Sequence, residues 1–102
     1  MAHTYKGKLD FTDNGDYVLY NISGVEHMNL SKLFKGLNEK TLDIRIVHKD
    51  HILFDKIGKI SKQNVDKKLK KFILDEEDSS LDDVLWELVG ESIKIIVEKI
   101  GR

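Results

Sequence analysis

From Tyr5 to Phe11 the apolar positions alternate: Tyr5, Gly7, Leu9 and Phe11 share one face, and Lys6, Lys8, Asp10 and Thr12 share the other. Side chains that repeat every second residue lie on one side of a pleated chain, so this stretch reads as a half-buried strand. Asp13-Asn14-Gly15-Asp16 follows, and Asn-Gly supplies the two positive-φ positions of a type I′ hairpin turn. The aromatic and β-branched residues of 16–23 then pair back as a second strand. Gly24 to Met28 reads as a loop.

The period changes at Leu30. Leu30, Leu33, Phe34 and Leu37 fall at i, i+3, i+4 and i+7, the stripe of an amphipathic helix. Asn29 is placed to cap it, because a side-chain oxygen there can accept from the first free amides. Asn38 is the expected left-handed residue that ends it. Leu42, Ile44 and Ile46 restore the period of two and predict a third strand, Thr41 to His48. Lys49-Asp50 reads as a turn, and His51 to Phe54 as the start of the next strand.

A second stripe, Leu81, Val84, Leu85 and Leu88, follows Ser79 and Ser80 as capping residues, with Asp82 and Asp83 in the first turn where the helix dipole favours acids. Gly90 ends that helix, and Ile93, Ile95 and Val97 alternate in a last strand, Ser92 to Ile100. Residues 30–48 and 81–99 align without a gap at a shift of 51, in a chain of 102 residues. Extended upstream, the shift matches Gly7 with Gly58, Val18 with Leu69 and Ile22 with Ile73. The expected fold is therefore α+β: two β-β-α-β repeats, 1–51 and 52–102, fused into a single domain of about six mostly antiparallel strands and two short helices. No Gly/Ser/Pro linker separates the halves, and neither buries its apolar faces well alone.

Composition narrows the function. The apolar share of 40% suits a packed core, and the net charge of −1 advertises neither nucleic acid nor membrane. Absence of cysteine excludes disulfides, thiol catalysis and zinc-thiolate sites. No apolar run is long enough to span a bilayer, and the first ten residues carry no signal-peptide pattern. A cytoplasmic protein that does not engage the membrane is the expectation.

No stretch carries a catalytic signature. Ser23-Gly24 lacks the flanking glycine of a hydrolase elbow, no Gly-rich loop precedes Lys-Ser/Thr, and His27, His48 and His51 lack partner ligands at metal-site spacing. No cofactor and no metal are expected. Three features stand out from the scaffold. The first is the acidic run Asp75, Glu76, Glu77 and Asp78, where the first half has its Gly24 loop. The second is Trp86, whose counterpart is Lys35; tryptophan is enriched at interface hot spots. The third is a lysine run from Lys56 to Lys71, with Lys62, Lys67, Lys68, Lys70 and Lys71 as candidate phosphate contacts. It lacks arginine and an aromatic platform, and lysines also guard strand edges.

These features favour a small non-enzymatic protein that binds or inhibits a protein partner through the 75–78 acids and Trp86. The cadence of the second half resembles that of small bacterial and phage proteins, which suggests a mobile-element origin and implies no activity. Two alternatives stand beside it: nucleic-acid binding through the lysine run, and a small-molecule or enzymatic site between the halves. Homo-oligomerisation is left open by the sequence.

Overall fold

The computed structural model describes residues 2–21, 23–64, 70–75 and 80–101. In chain order they form β1 (Ala2–Phe11), β2 (Tyr17–Tyr20), β3 (Glu26–Asn29), α1 (Leu30–Gly36), β4 (Thr41–His48), β5 (His51–Asn64), β6 (Lys70–Leu74), α2 (Ser80–Glu87) and β7 (Ser92–Lys99). The strands build an antiparallel sheet in the order β3-β2-β1-β7-β4-β5-β6. The α+β class agrees with the sequence reading, but the described strands number seven, not six.

One face of the sheet makes the core. Leu9, Leu42, Ile44, Ile46, Ile93 and Ile95 are buried there, as their alternation requires, and Leu30, Phe34, Leu81 and Leu85 from the two helices close over them. α1 packs on β2 and β5, and α2 on β6 and β5. Each helix has only about two turns, too few to hold together in water, so this burial is what keeps them helical. Asn29 caps α1 as expected, accepting from Lys32 N at 2.9 Å.

Pairing crosses the middle of the chain. β1 pairs with β7, and β5 pairs with β4, so each half's first strand is held by the other half's last strand. The registers correspond: Gly7 faces Ile93 and Gly58 faces Leu42, and these four residues are related by the shift of 51. At the centre Arg45 faces Ile96, itself a pair 51 apart. Backbone bonds follow the same rule. Gly90 N donates to Leu9 O at 2.7 Å and Glu39 N donates to Ile60 O at 2.8 Å; Leu9 N donates to Glu91 O and Ile60 N to Lys40 O.

Several expectations are corrected. Glu26–Met28, within the stretch read as loop, form with Asn29 a strand on β2. The first hairpin is not type I′. Gly15 N donates to Thr12 O, Thr12 N donates to Asp16 O, and only Gly15 has positive φ, which is a type I turn followed by a glycine bulge. Type I′ dihedrals occur instead at Lys49 (φ 50) and Asp50 (φ 64), the two-residue turn between β4 and β5. The left-handed residue after α1 is Glu39 (φ 71), not Asn38.

The second hairpin also departs from a gapless alignment. Leu9 faces Leu19 in the first hairpin, and a shift of 51 would put Lys70 opposite Ile60; Leu74 is there instead. The β5–β6 ladder extends by two pairs beyond the end of its counterpart, Gln63 with Lys71 and Asn64 with Lys70. The connection from β6 to α2 is four residues shorter than that from β2 to α1. Val18 therefore does not correspond to Leu69, nor Ile22 to Ile73; Leu69 and Ile22 themselves lie outside the described residues.

Candidate functional site

Trp86 sits on the outer side of α2 and is 57% exposed. It is nonetheless held. Its ring meets Phe11 edge-to-face at 5.3 Å and 85°, and Phe11 meets Tyr17 in the same way at 5.0 Å. Tyr17 lies 6.4 Å from Phe72, which packs on Phe34 at 5.1 Å. A continuous aromatic chain thus runs from the surface through the core to α1. Edge-to-face contacts fix ring orientation, so Trp86 is presented rather than loose.

The same helix anchors this chain by a polar contact. Asp82 is buried, and its Oδ1 accepts from Phe72 N at 3.4 Å. Burial pushes the Tyr17 hydroxyl well above the usual phenol range, and the charges of Asp82 and Asp83 and a hydrogen bond to Asp82 push it the same way. In the first half Ser31, the counterpart of Asp82, accepts from Tyr17 N at 2.8 Å. A side chain in the first turn of each helix therefore takes the amide of a strand aromatic.

Of the acidic run, Asp75 is described, and Glu76, Glu77 and Asp78 lie outside the described residues. Asp75 is a brace. It has φ 51, its N–H donates to Lys59 O at 2.9 Å, and its Oδ1 accepts from Lys59 N at 3.0 Å. Its carboxylate also fills the space over Gly58, where an added Cβ would meet Oδ2 at 3.0 Å. It continues the β5–β6 pairing with its side chain, so its exposed position is accounted for without a partner.

Two lysines at the start of the run are engaged within the chain. Lys56 Nζ donates to Ser80 Oγ at 3.0 Å and lies 5.7 Å from the centre of the Phe54 ring, and Lys59 Nζ pairs with Glu39 at 2.8 Å. By register Lys62 is opposite Phe72, Lys71 opposite Gln63 and Lys70 opposite Asn64. Lys67 and Lys68 lie outside the described residues.

The seam between the halves is a hydrogen-bonded ladder where β4 meets β7. Two adjoining depressions lie to one side of it, over β1 and β7, sharing Lys6, Gly7 and Ser92; the larger has a volume of about 770 Å³. Sequence reading missed them because their lysines, Lys6, Lys8, Lys49 and Lys94, come from three separate stretches. Only the exposed alternation of Lys6 and Lys8 pointed there.

Among the described residues no three His, Cys, Asp or Glu side chains group as a metal site, and no helix is long and apolar enough to cross a membrane. His48 Nε2 lies 3.5 Å from Glu91 Oε1, and His3 stacks on Tyr5. Comparison with known protein families, curated proteins and solved structures finds no match for this chain.

Proposed function

We propose that this chain is a small non-enzymatic binding protein, of mobile-element origin, which acts in the cytoplasm by docking α2 and its flanking acids against a protein partner. Its scaffold is read as two β-β-α-β repeats, the first carrying an additional strand. The observation that carries this reading is Trp86: a large aromatic left 57% exposed yet oriented by Phe11. Such a side chain gives up little conformational freedom on binding and brings a large apolar area, the profile of an interface anchor. Lys35, at the related position of α1, offers no such surface, so the feature belongs to the binding site and not to the scaffold.

Trp86 is the only tryptophan, and its emission reports directly on its surroundings. With a partner purified from native lysate, the emission is expected to shift to the blue as the ring leaves water. Trp86→Ala is expected to abolish the complex while costing the fold only the Phe11 contact, about 0.5–1.5 kcal/mol. A complex that forms without moving the emission would falsify this assignment.

The lysine run is the weaker reading. Lys56 and Lys59 are engaged within the chain, so nucleic-acid binding would fall to Lys62, Lys67, Lys68, Lys70 and Lys71.

A further inference from the structure

The side of the sheet away from the helices carries a charge pattern that its architecture does not require. Lys6 in β1 lies directly opposite Lys94 in β7, and like charges in that position weaken a strand pair. Lys49 lines the same depression as both. Lys8, opposite Tyr20, extends the row into the adjoining depression. Of the positions related by 51 residues only one keeps a lysine: Lys8 corresponds to Lys59, which pairs with Glu39, while Lys6 corresponds to Ile57, Lys94 to Asp43 and Lys49 to Ile100. The cluster is a property of one end of this face only.

The turn that presents Lys49 is itself costly. Lys49 and Asp50 both have left-handed φ, 50 and 64, in a turn that favours Asn and Gly. The two-residue turn between β4 and β5 enforces these dihedrals. Here it sets an ammonium group at the end of the lysine row.

The chemistry of the lining selects an anion. Four lysines face two aspartates, Asp10 and Asp50, across the two depressions, and Tyr20, Asn21 and Ser92 add uncharged hydrogen-bonding groups. Among the described residues the lining is richer in lysine than in carboxylate, which suits a ligand bearing more than one negative charge. Lysine ammonium groups act as point charges toward phosphate oxygens, and among the described residues no guanidinium lines either depression to grip a carboxylate in bidentate fashion.

We propose that this face binds a phosphate-bearing ligand with two or more adjacent negative charges, its phosphates held by Lys6, Lys49 and Lys94. The phosphates belong either to a nucleotide's polyphosphate chain or to consecutive units of a single-stranded nucleic acid; the chemistry at the lysines is the same. The site is separate from Trp86 and stands independently of the protein-docking reading.

The test is a titration of the isotopically labelled chain at low salt, in separate arms, with pyrophosphate, a nucleoside triphosphate and a short single-stranded oligonucleotide. Saturable shifts are expected in the amides of residues 6–8, 47–50 and 92–94. Saturation by pyrophosphate or the triphosphate assigns the phosphate chain, and saturation by the oligonucleotide alone assigns the strand. Lys94→Glu is expected to weaken binding by about tenfold or more. It is also expected to keep or raise the thermal midpoint, because it turns a like-charge pair into an opposite-charge pair. Absence of binding in all three arms, or an equal loss from Lys35→Glu on the helical side, overturns the proposal.

Discussion

Glu39 and Gly90 occupy the same place, the left-handed residue after each helix, with φ 71 and 93. A Cβ at Gly90 would meet nothing within 4 Å, so Gly90→Ala isolates the backbone cost, expected at about 1–2 kcal/mol of lost stability. Glu39→Gly relieves a similar strain and loses an exposed pair with Lys59 worth about 0–1 kcal/mol, so urea denaturation is expected to show it neutral to stabilising. Tyr17 makes a pH prediction. Its phenol is held neutral in the fold, above the unfolded value of about 10. That contribution is complete below pH about 10 and is lost as pH rises further, because the unfolded chain releases the proton first. Urea midpoints measured upward from pH 8 should fall more steeply in the parent chain than in Tyr17→Phe.

Among the elements, the β4–β5 hairpin departs furthest from local preference. Replacing Lys49-Asp50 with Asn-Gly restores a sequence suited to both positive-φ positions and is expected to add about 1–2 kcal/mol. A thermal midpoint that does not rise would show that the native turn is not strained. The first turn of α1 carries the opposite kind of dependence. Ser31 Oγ accepts the buried amide of Tyr17 at 2.8 Å, so Ser31→Ala leaves that donor unsatisfied at a cost of about 1–3 kcal/mol. The capping residue expected at Ser79 lies outside the described residues, and Ser80 is the first residue of α2. Apolar stripes, the Asn29 cap and the acids in the first turn of α2 were readable because helices and strands impose fixed side-chain periods. The change of register in β6 was not, since a shift of four residues preserves the period of two.

Over the whole molecule, strand pairing ties the two halves together. β1 needs β7, and β4 has β5 and β7 as its only neighbours in the sheet, both beyond residue 50. Fragments 1–51 and 52–102 are therefore each expected to be unfolded alone by circular dichroism, and to regain strand signal when mixed. A fragment that folds by itself would show that its own hairpin and helix suffice. The same crossing brings Lys6, Lys49 and Lys94 to one face from three distant stretches, while it leaves Trp86 where its helical phase had put it, at the border of the stripe.

The sequence by itself determined the two helices, the strands that alternate and the residues that face the core, because burial acts on each element through its own periodicity. It also singled out Trp86. It could not decide that Glu26–Asn29 would extend, which depends on a neighbouring edge at β2 to satisfy its backbone groups. Nor could it decide what Asp75 does, since the Lys59 amide it accepts lies 16 residues away. Which lysines stand together was decided only by the tertiary structure: strand register places charges across from one another, and register is set by the packing of the opposite face.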